Sequence, residues 1–306
     1  MISSKFNQPW LKPYQYYIFM SQLISYKSQD GIEHYLHLFA CETPDAPVLL
    51  LFPAMGMKAP YYFKLAEHIN QQGFHFACTD LRGNGPSHRS PSWLHNFSYH
   101  EMLEQDWPAA IEKIKHNLPN SPLFLMGHSL GGQLSCCYSA LHPDDISGVI
   151  LIASGTVHYK TYRQKWRTLF GTQFLWYTSA VIGYLPGNKL GFAGNEARGV
   201  MRDWAYNART GRYKIRNKNQ SNALEGTMSQ FKKPILAITF DGDKLSPHGA
   251  MQALLDKFHN AHKTHIRTSA LELGVKKLDH FNWVHSANKL SPKIGNWVKK
   301  VLGMHD

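Results

Sequence analysis

Leu123-Phe124-Leu125-Met126-Gly127-His128-Ser129-Leu130-Gly131-Gly132 carries an apolar run straight into a G-x-S-x-G turn and out again into residues with helical spacing. An apolar run followed by glycines predicts a buried strand, a sharp turn and a helix. A serine on such a turn is lifted above the end of the sheet, and the glycines on either side let the backbone turn and the helix close on its neighbours. Ser129 is therefore a candidate nucleophile. A lone G-x-S-x-G also arises in ordinary Gly-rich strand-to-helix turns, so the argument rests on its surroundings.

Outward from this stretch the pattern repeats. Strand-like runs at 47–52, 74–79, 123–126, 149–153 and 234–240 alternate with helical spacing at 61–72, 99–117, 130–141 and 247–258. Apolar runs without alternation, each feeding a helix, indicate parallel strands covered on both faces. The fold expected is α/β, a doubly wound and mostly parallel sheet. Two alternating runs, 17–26 and 33–41 with Asp30-Gly31 between them, predict an opening hairpin, and a last strand over 263–271 precedes a helix over 287–301.

The stretch 155–230 breaks the alternation. It is long, aromatic and basic, has no clear strand run, and is expected to form a mostly helical cap inserted between two strands, leaving 1–154 and 231–306 as the core. Within it 169–188 carries no charge, yet Gly171, Gln173, Thr178, Ser179, Gly183 and Pro186 make it too polar and broken for a membrane span. It fits cap helices packed on the domain, or a lid over the substrate.

The chain has 306 residues, 43% of them hydrophobic, which is the composition of a packed globule and not of a disordered chain. Its formal charge is +12. The cap holds twelve Lys/Arg against Glu196, Asp203 and Glu225, so nine of the twelve net charges lie there. Arg209, Arg212, Lys214, Arg216 and Lys218 interleave with Tyr213, but a solvated basic face accounts for them and no nucleic-acid partner is expected. Cys41, Cys78, Cys136 and Cys137 form no C-x-x-C pair and read as reduced, mostly buried thiols of a cytosolic protein. The N-terminus lacks the pattern of a secretory signal.

A serine hydroxyl is a weak nucleophile at neutral pH, so Ser129 needs a base, and the base needs a carboxylate to fix its tautomer. Both should follow Ser129 in the chain and sit at carboxyl ends of strands. Asp241 and Asp243 both follow the strand over 234–240. Asp243 is favoured because it lies past Gly242 and just before Ser246-Pro247, a helix start. Of 18 histidines, His280 is favoured by position: it follows the last strand in a loop that can lower it onto Ser129, whereas His259, His262 and His265 fall before or within that strand and His285 lies beyond the loop. Pairs such as His34/His37 and His262/His265 fall on opposite faces of strands and lack further ligands, so no metal and no cofactor is expected. Two backbone donors should face the oxyanion: the amide of Leu130, and that of Met55 in the loop Pro53-Ala54-Met55-Gly56.

Four segments in this order, FPAMG (52–56), DLRGNGPS (80–87), GHSLGG (127–132) and FDGDKLSP with LDHF (240–247 and 278–281), make the chain resemble the α/β-hydrolase superfamily over nearly its whole length. The FPAMG form is similar to bacterial hydrolases of the serine aminopeptidase-like and monoacylglycerol-lipase-like group, with Pro53-Ala54 where many members carry His-Gly. The resemblance implies Ser129 as nucleophile, His280 as base, Asp243 as acid, and the Met55 and Leu130 amides as the oxyanion hole. It implies cleavage of a carboxylic ester or thioester. An acyltransferase would use the same residues, an amidase or peptidase fits the basic cap less well, and a binding protein fits an intact triad least. Trp166, Phe170, Phe174, Trp176 and Tyr177 are the expected pocket wall. The basic cap suggests an anionic or lipid-like substrate or contact with a membrane surface.

Overall fold

The computed structural model describes residues 20–85, 90–215 and 218–304, with the side chains of 218–223 outside the description. The first residues of the strand expected over 17–26, Pro86-Ser87 of the DLRGNGPS segment, Arg216 and the Lys218 side chain lie outside the described residues.

Strands β1 (Gln22–Lys27) and β2 (Glu33–Phe39) form the opening hairpin. They are followed by β3 (Val48–Phe52), β4 (His75–Thr79), β5 (Leu123–His128), β6 (Gly148–Ile152), then β7 (Tyr184–Pro186) and β8 (Asn195–Ala197), and finally β9 (Ile235–Phe240) and β10 (Lys263–Thr268). Eight of them make one sheet in the order β1-β2-β4-β3-β5-β6-β9-β10. β2 is antiparallel to both its neighbours, and every pairing from β4 to β10 is parallel. From β3 the chain steps to β4 on one side and then crosses back to β5 on the other. That reversal opens a crevice at the carboxyl ends of β3 and β5, the place where an open α/β sheet holds its site.

The central strands are apolar on both faces because both faces are covered. On one side Val48, Leu50, Leu125, Val149 and Ile235 pack under the helices α2 (Trp107–Asn117), α3 (Leu130–Leu141) and, further along the chain, α7 (His248–Leu255). On the other, Leu49, Leu51, Met126, Ile150 and Ile238 meet α1 (Phe63–Asn70) and α8 (Ala287–Leu302). A helix such as α3, enclosed along nearly its whole length, buries both Cys136 and Cys137 although they point to different faces.

The helix expected over 99–117 is interrupted by a π-helical turn at Met102–Asp106, which turns Asp106 inward onto Arg82. The last strand stops at Thr268, short of residue 271.

The segment between β6 and β9 contains α4 (Lys165–Ile182), α5 (Arg198–Thr210) and α6 (Lys218–Gln230). Its sequence shows no clear strand run, yet β7 and β8 pair antiparallel within it; three residues each are too few to leave a periodic signal in the sequence. Its last helix, α6, packs on α3 and contributes Leu224 and Met228 to the main core. Among the described residues no helix is long and apolar enough to cross a membrane.

Glu196 of β8 ties this insert to the core. Its carboxyl is buried against the backbone of Gly194 and Gly56, the latter in the loop after β3, and beside Asn84. Burial pushes its pKa up to about 8. Between the ordinary glutamate range and that value the folded chain holds a proton that the unfolded chain has released, so stability falls as pH rises through this window and is level above it. Glu196→Gln keeps a neutral side chain of nearly the same shape at every pH. Its melting temperature in scanning calorimetry should match the parent's near pH 5 and exceed it by several degrees near pH 9. Equal melting temperatures at both pH values would mean that the carboxyl is solvated.

Candidate active site

The crevice collects residues from four loops. At the end of β5, Ser129 stands at φ 53° and ψ −117°, a left-handed conformation costly for any side chain. Its N–H donates to the Ile152 carbonyl at 3.1 Å, which fastens the turn to β6. The turn is as tight as its glycines allow. A Cβ on Gly127 would lie 2.3 Å from Gly132, and one on Gly131 would lie 2.1 Å from the Phe52 carbonyl oxygen. Gly131 instead uses that proximity: its N–H donates to the Pro53 carbonyl at 3.1 Å, holding the loop after β3 against the start of α3.

His280 comes from the loop before α8, and its Nε2 lies 3.0 Å from Ser129 Oγ. Its Nδ1 lies 2.8 Å from Asp243 Oδ2. The other oxygen of Asp243 accepts the N–H groups of Leu245 and Ser246, each at 2.8 Å, so both carboxylate oxygens are engaged in a buried turn. Asp241 faces elsewhere: it pairs with His248 Nε2 at 2.6 Å at a more exposed edge. The two aspartates left open by the sequence are thereby assigned to different histidines.

Met55 lies buried beside this turn, in the loop held by Gly131. Leu130 opens α3, where the first N–H groups of a helix have no partner within it. Among the described residues neither the Met55 N–H nor the Leu130 N–H has a protein acceptor. Trp166, Phe170, Phe174, Trp176 and Tyr177 all lie on α4, and all are exposed. Their ring contacts run from Trp166 to Tyr159 and Phe170, not to Ser129 or His280. Among the described residues no group of three or more His, Cys, Asp or Glu side chains is arranged to hold a metal ion.

The sequence reading passed over two residues that the site is built on. His128, the variable position of the G-x-S-x-G turn, is wholly buried, and burial with His280 alongside holds its pKa well below the usual histidine range. The imidazole is neutral, carrying one donor and one acceptor. Its Nε2 lies 2.8 Å from the His280 carbonyl oxygen, which puts the proton there. Its Nδ1 then accepts from the Tyr62 hydroxyl at 2.8 Å. Burial keeps Tyr62 protonated, and its oxygen accepts the Ala54 N–H at 3.0 Å. One line of hydrogen bonds thus runs from the loop after β3, through Tyr62 and His128, to the backbone of the loop that carries His280. The only sequence signal was a histidine inside an otherwise apolar strand end.

Tyr62→Phe removes the hydroxyl that serves both neighbours and leaves the Ala54 N–H and His128 Nδ1 buried and unpaired. Urea unfolding should show a loss of about 1–3 kcal/mol. A variant as stable as the parent would mean that water takes over both bonds.

The α/β hydrolase fold profile matches residues 47–270. Protein phosphatase methylesterase 1 of Candida albicans is 31% identical over 106 residues, 34% of this chain and 28% of that protein. Monoglyceride lipase of Rattus norvegicus is 28% identical over 111 residues, 36% of this chain and 35% of that protein. The matched stretch therefore spans about a third of the length of these curated relatives. Among solved structures, a carboxyl esterase from Bacillus coagulans superposes with a TM-score of 0.65 at 15% identity, covering 92% of this chain and 98% of that one. A monoacylglycerol lipase from Paleococcus ferrophilus gives 0.60 at 16%, covering 88% and 99%. These structures agree in fold over almost their full lengths. With a profile match running over most of the sequence, from β3 to just past β10, the chain belongs to the α/β hydrolase fold family.

Proposed function

We propose that the protein hydrolyses a carboxylic ester or thioester through an acyl-enzyme on Ser129. The observation that carries this reading is the unbroken line from Ser129 Oγ to His280 Nε2 at 3.0 Å and from His280 Nδ1 to Asp243 at 2.8 Å. In the proposed reaction His280 takes the hydroxyl proton as Ser129 Oγ attacks the acyl carbon. The carbonyl oxygen, now anionic, is met by the N–H groups of Met55 and Leu130. His280 passes its proton to the departing alcohol or thiol, and the carbonyl re-forms as the leaving group goes. Water, deprotonated by the same histidine, then attacks the acyl carbon and releases the acid and the free serine.

Asp243 orients His280 and stabilises its charged form. Similarity to a methylesterase and to monoglyceride lipases supports ester cleavage, and the lipases among the relatives support a lipid-like acyl chain.

A fluorophosphonate probe should label the protein at Ser129, read by peptide mass spectrometry, and should not label Ser129→Ala. Absence of labelling in folded protein would exclude an activated serine. In an ester panel Asp243→Asn should lower kcat by about 10³–10⁴, as expected when the orienting carboxylate of such a triad is lost. Asp241→Asn should change kcat by less than about threefold, because its carboxylate engages His248. The reverse order would transfer the acid role to Asp241.

A further inference from the structure

The helix α4 is built inside out. A surface helix ordinarily turns its apolar stripe to the core and its polar residues to water. In α4 the residues buried against the rest of the protein are Thr172 and Ser179, with Gln173 donating to the Ala205 carbonyl of α5 at 2.9 Å. The outward residues are Trp166 (64% exposed), Phe170 (67%), Phe174 (65%), Tyr177 (65%) and Val181 (59%). At 3.6 residues per turn these five fall within an arc of about 80°. They form one stripe along a helix about 27 Å long.

The stripe continues past the end of the helix. The indole of Trp93 packs against Gly183 at the C-terminus of α4, and Trp93 and Leu94 are themselves exposed. Together these side chains leave on the order of 600 Å² of apolar surface bare, at the upper end of what a soluble monomer shows.

Charge decides what covers it. From Gly155 to Asn195 there is no Asp or Glu, while Lys160, Arg163, Lys165, Arg167 and Lys189 lie in the same stretch. Lys165 and Arg167 flank Trp166 at one end of the stripe, Lys189 lies beyond the other, and Arg198 rests 4.7 Å over the Trp93 ring. A second copy of the chain would bring two cationic rims together. An anionic bilayer offers the complement to both parts: acyl chains for the stripe, negative headgroups for the rim, and an interface where Trp and Tyr rings settle.

We infer that the outward face of α4, with Trp93 and Leu94, docks on an anionic lipid surface, the helix lying at headgroup level with its cations on the lipid phosphates. The docked face and the candidate active site share an end. Tyr162, just before α4, donates its hydroxyl to the Leu245 carbonyl at 2.8 Å, in the turn that holds Asp243. Docking itself does not depend on the proposed reaction.

The test is sedimentation of the full chain carrying Ser129→Ala with unilamellar vesicles of phosphatidylcholine alone or mixed with phosphatidylserine. The partition coefficient should be at least about tenfold higher on the mixed vesicles and should fall as salt is added. Lys165→Glu with Arg167→Glu should lower it by about tenfold or more. Phe170→Ser, Phe174→Ser and Tyr177→Ser in one chain should abolish binding, with circular dichroism and thermal unfolding showing that the variant is folded. No sedimentation with either vesicle would overturn the inference, as would equal binding to both or binding unchanged by the serine substitutions. A dimer in analytical ultracentrifugation that the serine variant dissociates, without lipid binding, would assign the stripe to a second copy instead.

Discussion

The close approach of α3 to the ends of β3 and β5 is the constraint on which the rest of the site depends. Gly131 lies against the Phe52 carbonyl and donates to Pro53, and Gly127 lies against Gly132, so the helix starts within contact of two strand ends. Nothing larger than hydrogen fits at these points. The chain can leave β5 and enter α3 over so short a path only if the intervening residue takes a left-handed conformation, and Ser129 is that residue. The strain is borne by the strand packing around it, which is buried on both faces and anchored through the Ser129 N–H to β6. The same approach draws the Met55 loop toward the serine, so the turn that exposes the hydroxyl also brings up two unpaired amides.

How much of this was legible follows from which interactions are local. Strand, glycine turn and helix occupy ten consecutive residues, 123–132, and each step is a local preference, so the sequence carries them openly. The extents of β9 and α3 are equally plain, because apolar runs and helical spacing extend over several residues. Asp243 and Asp241 are only two positions apart, and no local rule separates them. Their separation comes from the turn amides of Leu245 and Ser246 on one and from His248 on the other. His128, Tyr62 and His280 are far apart in the chain and meet only when α1, β5 and the last loop have packed. A residue read in sequence as the spacer of a motif becomes, after folding, the contact between two loops of the candidate site.

The insert is less legible for the reverse reason. Its aromatic, uncharged run is compatible with a pocket wall or with a lid that touches a membrane surface, and only the first needs its rings to face inward. In α4 the small and polar residues Thr172, Ser179 and Gln173 do so, and the aromatic ones do not. Composition was identical in the two cases, and only the phase of the helix distinguishes them. That phase is set by the fit of small side chains against α5, where large aromatic ones would hold the helices apart.

The neutrality of the interior behind His280 completes the electrostatic picture. In the proposed reaction His280 becomes an imidazolium, and its ring centre lies 4.9 Å from that of His128. A second cation at that distance, buried beside the first, would oppose the proton transfer proposed for Ser129. Burial removes this conflict by holding His128 well below the usual histidine range and Tyr62 well above the usual tyrosine range, so both act as fixed dipoles. The carboxylate of Asp243 then faces His280 without a competing positive charge from this network. A lysine or arginine at position 128 could also donate to the His280 carbonyl, but it would place a permanent charge beside the imidazole. A neutral histidine supplies the same donor, accepts from Tyr62, and leaves the charge where the chemistry uses it.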